Sequence, residues 1–90
     1  MEISFSDQFK KTYHKNVHAG KVSADSFRAI LALFTANPFD AKLKTHKLSG
    51  KLKGLWSCSL AYNLRIVFYF TQDKPPKAVF INIGDHDEAY

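Results

Sequence analysis

The sequence predicts an α+β fold, with an N-terminal helical hairpin packed on one face of a small antiparallel sheet and a short C-terminal tail or helical turn. Two observations carry this prediction. Apolar residues recur at helical spacing through residues 9–34, and the period drops to two from Trp56 onward. The helical and strand-like segments are also grouped, not interleaved, which separates this class from a parallel α/β sheet.

The elements follow in order. Ile3 and Phe5 alternate with polar residues as a short edge strand. Ser6 and Asp7 supply N-capping oxygens for a first helix. In that helix Phe9, Tyr13 and Val17 form an apolar stripe, and Lys10, Lys11, His14, Lys15 and His18 take the other faces. Gly20 stops it. Ser23 caps a second helix whose Phe27, Ile30, Leu31 and Phe34 share one stripe. Asn37-Pro38 ends that helix, because a residue before proline is driven out of helical dihedrals.

Residues 39–54 read as a basic connector in which Gly50 and Gly54 permit sharp bends. Next come strands. Trp56, Cys58 and Leu60 alternate with Ser57, Ser59 and Ala61; Tyr62-Asn63 is a turn; Leu64, Ile66, Phe68 and Phe70 alternate with Arg65, Val67 and Tyr69. Residues 72–76 form a loop. Val79, Ile81 and Ile83 then alternate with Ala78, Phe80 and Asn82 in a last strand that Gly84 closes. Trp56 belongs to the core by this alternation. Helices on one sheet face leave the other open, and by parity the open face carries Ser57, Ser59, Arg65 and Asn82. An arginine among small polar groups on such a face reads as a ligand surface.

Ninety residues suffice for one domain, spanning 1–90, and a hydrophobic fraction of 46% with eight Phe supplies one core. The net charge is +5. Between Asp40 and Asp73 there is no acidic residue, while Lys42, Lys44, Lys47, Lys51, Lys53 and Arg65 all fall there. Such a field attracts a polyanion or an acidic protein. The single Cys58 excludes an internal disulfide and fits a reducing compartment, as a buried apolar residue. No basic leader precedes an apolar stretch, and no apolar run approaches the ~20 residues that span a bilayer. The expectation is a cytoplasmic protein without membrane contact. His14 and His18 have a metal-ligand spacing, but no third ligand is identifiable, so no metal site is expected. Phosphate-binding loops, dinucleotide fingerprints and nucleophile elbows are absent from the sequence.

Three words in order carry a resemblance: His46-x-Leu48-x-Gly50-x-x-x-Gly54, Leu64-Arg65-Ile66-Val67-Phe68, and Ile83-Gly84-x-His86-x-x-x-Tyr90. With them the chain resembles the RelE/ParE superfamily of bacterial toxins, nearest the YafQ-type and RelE/StbE-type mRNA interferases. The resemblance implies a RelE-like fold and an endoribonuclease of a type II toxin–antitoxin system. It implies cleavage of mRNA without metal or cofactor, usually on the ribosome, and neutralisation by a cognate antitoxin. The implied chemistry is attack of a 2′-hydroxyl on the adjacent phosphate, leaving a cyclic phosphate.

Carried over by position, the resemblance makes His46 a general base or substrate orienter and His86 a general acid. Arg65 becomes the phosphate clamp, through parallel guanidinium hydrogen bonds, and Tyr90 a stacking ring. Lys44, Lys47, Lys51 and Lys53 would follow the RNA backbone, with Ser57, Ser59, Asn63 and Asn82 also facing RNA. Three of these depart from the family pattern. Ser59 stands where YafQ-type toxins carry a second histidine and RelE-type toxins a lysine. Asn63 stands where YafQ-type toxins carry an aspartate, and Asn82 where an arginine is frequent. The resemblance therefore keeps two alternatives open: a ParE-like inhibitor of gyrase, or a catalytically degenerate member that only binds its antitoxin.

Overall fold

The computed structural model describes residues 1–61 and 63–90. Its order is β1 (Ile3–Phe5), α1 (Asp7–His18), α2 (Ala24–Ala36), β2 (His46–Lys47), β3 (Trp56–Ala61), β4 (Leu64–Phe70), β5 (Ala78–Gly84) and α3 (His86–Ala89). The strands form a sheet in the order β1-β5-β4-β3-β2. β1 lies parallel to β5, and the other three pairings are antiparallel. The predicted class is the observed one, with α1 and α2 on one face of the sheet.

Both helices start where the caps predict. Ser6 Oγ accepts from the Phe9 amide at 3.1 Å, and Ser23 Oγ from the Ser26 amide at 3.1 Å. Phe9, Phe27 and Phe34 enter a core shared with Cys58, Ile66, Phe68, Phe80 and Ile83 of the sheet. The Phe34 ring stands edge-on to Phe68 at 5.0 Å and to Phe80 at 5.1 Å, the arrangement that aromatic quadrupoles favour. Cys58 is buried, and burial pushes its thiol pKa up to about 12. It therefore stays a thiol and packs as the small apolar residue expected.

Four expectations need correction. Val17 is not on the buried stripe: it is 37% exposed, and Asn16 is buried instead. The cause is helical drift. Every-fourth spacing advances about 40° per step, so the eighth residue after Phe9 has swung about 80° away, whereas the seventh returns to within about 20° of it. Asn16 uses the buried position to donate from Nδ2 to Thr12 O (2.7 Å) and Ile83 O (3.3 Å), tying α1 to β5. Its Oδ1 has no partner among the described residues.

The basic connector is also more ordered than its composition suggests. It contains β2 at the sheet edge and two single 3₁₀ turns, Ala41–Leu43 and Gly50–Leu52. The sheet thus has five strands where four were read. A two-residue strand is too short for any alternation to show.

The parity read for the last strand fails at a bulge. Val67 pairs with Asn82 and Phe68 with Phe80, so Ile81 is an extra residue. The core side is therefore Ala78, Phe80 and Ile83, not Val79, Ile81 and Ile83. Of the turn read at Tyr62-Asn63, Asn63 lies in a turn and Tyr62 falls outside the described residues.

The core assignment makes a contrast that urea denaturation checks. Phe34→Ala should cost about 3–5 kcal/mol, the range for emptying a buried aromatic site. Val17→Ala, on the exposed flank of α1, should stay within about 0.5 kcal/mol of the parent.

Candidate functional site

The site lies on the sheet face away from α1 and α2, and strand register builds it. His46 of β2 pairs with Ser57 of β3, Ser57 with Val67 of β4, and Val67 with Asn82 of β5. Residues opposite one another share a face, so these four form one row across the sheet. In the adjacent row Ser59 pairs with Arg65, and Arg65 with Gly84.

That face is not the open surface expected. After Gly84 the chain turns back and lays α3 over it. Tyr90 Oη is hydrogen-bonded to Ser57 Oγ, and Asn82 Nδ2 donates to Glu88 O at 3.1 Å. Ser57 and Val67 are both buried. The alternation placed Ser57 correctly on this face, but the hydroxyl anchors the C-terminal residue and does not meet solvent. Asn82 has a similar scaffolding part, since its Oδ1 also accepts from the Ile83 amide at 3.0 Å.

A four-residue helix needs external support, and three features supply it. Gly84 allows the close approach: a Cβ at that position would lie 2.6 Å from Cβ of Glu88. Asp85 and Glu88 form a reciprocal capping box, with the Glu88 amide donating to Asp85 Oδ1 at 2.9 Å. Finally, Glu88 spreads its two oxygens over two lysines. Oε2 meets Lys15 Nζ at 3.1 Å and Oε1 meets Lys21 Nζ at 3.2 Å. The hydrogen bonds from Lys15 and Lys21, and then the Asp85 amide, hold the Glu88 pKa down at about 2.

This support fixes His86. Its ring stands edge-on to Tyr90 at 4.7 Å, and its Nδ1 lies 3.8 Å from Asp87 Oδ1. His86 lines a cavity of about 630 Å³ together with Arg65, Asn63, Lys21, Asp85 and Asp87. Arg65 is half-buried there, and its Nη1 donates to Leu64 O at 3.0 Å. His46 lies at the far end of the row, exposed, with Nδ1 2.9 Å from Lys44 O. A carbonyl can only accept, so Nδ1 carries the hydrogen and, in the neutral ring, Nε2 is the basic nitrogen. His46 does not line the cavity; its strand partner Ser57 bonds Tyr90, whose ring meets His86.

Of the residues singled out from sequence, then, Arg65, Asn63 and His86 share one cavity. Tyr90 touches His86, and Ser59 lies beside Arg65 on the same face. The lysines divide differently. Lys44 is exposed just before β2, and Lys51 is exposed on the loop after it. Lys47 pairs with Trp56, so it projects to the opposite face from His46, and its Nζ sits 5.5 Å over the Trp56 ring. Lys53 lines a second hollow with Lys47. The lysine that does line the Arg65–His86 cavity is Lys21, from the loop between α1 and α2. Sequence reasoning missed it, along with Glu88. The Asp85-x-x-Glu88 spacing of a capping box was a readable signal for the latter; nothing local marks Lys21.

Chemically, the cavity offers a guanidinium and an ammonium for an anion and an imidazole for proton transfer. No group of three His, Cys, Asp or Glu side chains among the described residues is placed to hold a metal ion. His14 and His18 are exposed on α1.

Two outcomes follow from the support of α3. Gly84→Ala should undock α3, seen as loss of the His86–Tyr90 ring-current shifts in NMR spectra while the core signals persist. Glu88 is depressed from 4.5 to about 2, so its contribution to docking is complete above pH 4.5 and is lost as pH falls toward 2. The same shifts should titrate across that window, and Glu88→Gln should abolish the titration.

The comparisons with known proteins agree with this architecture. The chain superposes on a metal-bound toxin from Helicobacter pylori with a TM-score of 0.80 at 25% identity, covering 100% of this chain and 99% of that one. Against YafQ from E. coli strain BL21(DE3) the TM-score is 0.78 at 20% identity, covering 96% and 93%. Against the E. coli DinJ–YafQ toxin–antitoxin complex it is 0.76 at 20% identity, covering 96% and 92%. The comparison with curated protein sequences finds no match. The family model described as bacterial toxin of type II toxin–antitoxin system, YafQ, matches residues 1–90, and the chain belongs to that family.

Proposed function

We propose that this YafQ-family toxin is an mRNA interferase, a metal-independent endoribonuclease that acts in the cytoplasm, on the ribosome, and is held inactive by a cognate antitoxin. The observation that carries this reading is the shared cavity of Arg65 and His86, floored by the sheet and next to the exposed ring of Tyr90. E. coli YafQ occurs in complex with the antitoxin DinJ, which supports the partner class. No helix among the described residues is long and apolar enough to cross a membrane.

In this reading Arg65 binds the scissile phosphate through two parallel hydrogen bonds and offsets the charge that grows on it during attack. The 2′-hydroxyl oxygen bonds to phosphorus and gives up its proton, and the bond to the 5′-oxygen breaks. His86, which lines the cavity, protonates the departing 5′-oxygen. His46, with Nε2 as its basic nitrogen, accepts the 2′-hydroxyl proton or orients the nucleotide. The products are a 2′,3′-cyclic phosphate and a free 5′-hydroxyl. Tyr90 offers a ring for an unpaired base, while its hydroxyl stays on Ser57. Ser59 beside Arg65 supplies neither a base nor a cation, so proton transfer falls on the two histidines. In this reading Asn63 and Lys21 at the rim, with Lys44 and Lys51 on the β2 side, meet neighbouring phosphates and bases.

The test is purified protein with mRNA, with and without ribosomes. His86→Ala and Arg65→Ala should each lower the cleavage rate by about 10²-fold or more while circular dichroism stays unchanged. Cleavage that survives both substitutions would sink the assignment. If no cleavage occurs and gyrase supercoiling is blocked instead, the ParE-like function replaces it.

A further inference from the structure

The second hollow of the molecule is not used by the mechanism above. The loop between β2 and β3 closes on itself, with the Leu48 amide donating to Leu55 O at 2.9 Å. It folds into a recess of about 550 Å³ lined by Lys47, Leu48, Gly50, Lys53, Leu55 and Trp56. Gly54 turns this loop at φ +93, a conformation that side chains rarely adopt. Leu48, Leu55 and Trp56 are only half-buried, and beside Trp56 the Phe39 ring is 55% exposed at a centroid distance of 5.4 Å. The recess therefore has an apolar floor and a cationic rim. The rim carries no acidic residue, and none occurs anywhere between Asp40 and Asp73.

We propose that this recess docks an acidic peptide segment carrying an aliphatic anchor, the anchor seated on Leu48, Leu55 and Trp56 and its flanking carboxylates on Lys47 and Lys53. The proposal rests on the toxin reading only for the source of the segment, which would be the antitoxin. Charge complementarity selects an acid, because the charged side chains that line the recess, Lys47 and Lys53, are both cationic and repel a basic segment. Geometry selects peptide over RNA. Lys47 and Trp56 project to the sheet face opposite His46 and Ser57, so a strand threaded past Arg65 and His86 does not continue into the recess. Lys47 Nζ lies 5.5 Å from the Trp56 ring centroid, so a carboxylate paired with Lys47 sits beside an anchor on the indole. Aliphatic leucines line the rest.

Trp56 is the sole tryptophan of the chain, so its emission comes from one residue that lines this recess. The probes are a blocked octapeptide of alternating glutamate and leucine, its lysine–leucine counterpart, and an uncleavable 2′-O-methyl RNA dodecamer. The acidic peptide should shift Trp56 emission saturably, and the lysine peptide should not. The exposed double substitution Lys47→Glu/Lys53→Glu should weaken the acidic peptide by about tenfold or more and create binding of the lysine peptide. His86→Ala should leave the acidic-peptide shift intact, so that a failure of the nuclease reading is separable from a failure of this one. No saturable shift, equal response to both peptides, a shift produced by the RNA and not by the acidic peptide, or loss of peptide binding in His86→Ala would each overturn the proposal.

Discussion

A helix of four residues has no stability of its own in water, because its nucleus costs more than its few hydrogen bonds return. α3 is held by what its side chains reach, and Glu88 reaches furthest. One oxygen takes Lys15 from α1 and the other takes Lys21 from the following loop, while the backbone carbonyl accepts from Asn82 of β5. An exposed ion pair by itself is worth little. Here two pairs converge on one carboxylate that is also part of a capping box, and Gly84, lacking a Cβ, leaves room for Glu88 to pack against the strand end. The positions of His86 and Tyr90 are thus tertiary properties, set by α1 and β5 together. Asn16 strengthens the same link from below, since its Nδ2 bonds Ile83 O one residue before Gly84.

The bulge at Ile81 makes this arrangement possible. Without the extra residue, strict alternation from Ala78 and Phe80 in the core would turn Asn82 inward and Ile83 outward. With it, Phe80 and Ile83 both reach the core and Asn82 faces α3. The single irregularity reconciles a fully buried aromatic at one end of β5 with a polar scaffold at the other. It also shows what a period-two reading misses: Val79, Ile81 and Ile83 look like one apolar face, and only the partner strand reveals that they are not.

The same distinction explains what was legible in advance. Caps, the apolar stripe of α2, and the faces of β3 and β4 depend on residues within a turn or a hairpin of one another, and these read correctly. Arg65 and His86 were singled out through short words of a known family, and the alternation of β4 put Arg65 on the face that carries their shared cavity. Misread features depend on distant partners. β2 exists because His46 and Lys47 pair with Ser57 and Trp56. Ser57 is buried because a tyrosine 33 residues later bonds to it. Lys21 belongs to the site only because Glu88, 67 residues away, draws it there. Lys47 looked equivalent to its neighbouring lysines until the pleat assigned it to the opposite face.

That last point separates two uses of one basic segment. An even charge run suggests one continuous track, but a sheet edge splits it. His46 and Lys47 are adjacent in sequence and on opposite sides of the layer. On one side the cavity mixes Arg65 and Lys21 with Asp85 and Asp87, so an entering phosphate meets carboxylates as well as cations. Lys21 tempers this opposition, because its ammonium lies 3.2 Å from Glu88 and 3.9 Å from Asp85 while having three donors to share. On the other side no carboxylate stands among the lysines that rim the apolar hollow. The chain thus presents one surface where an anion must compete for its place and another where acidic groups meet no rival.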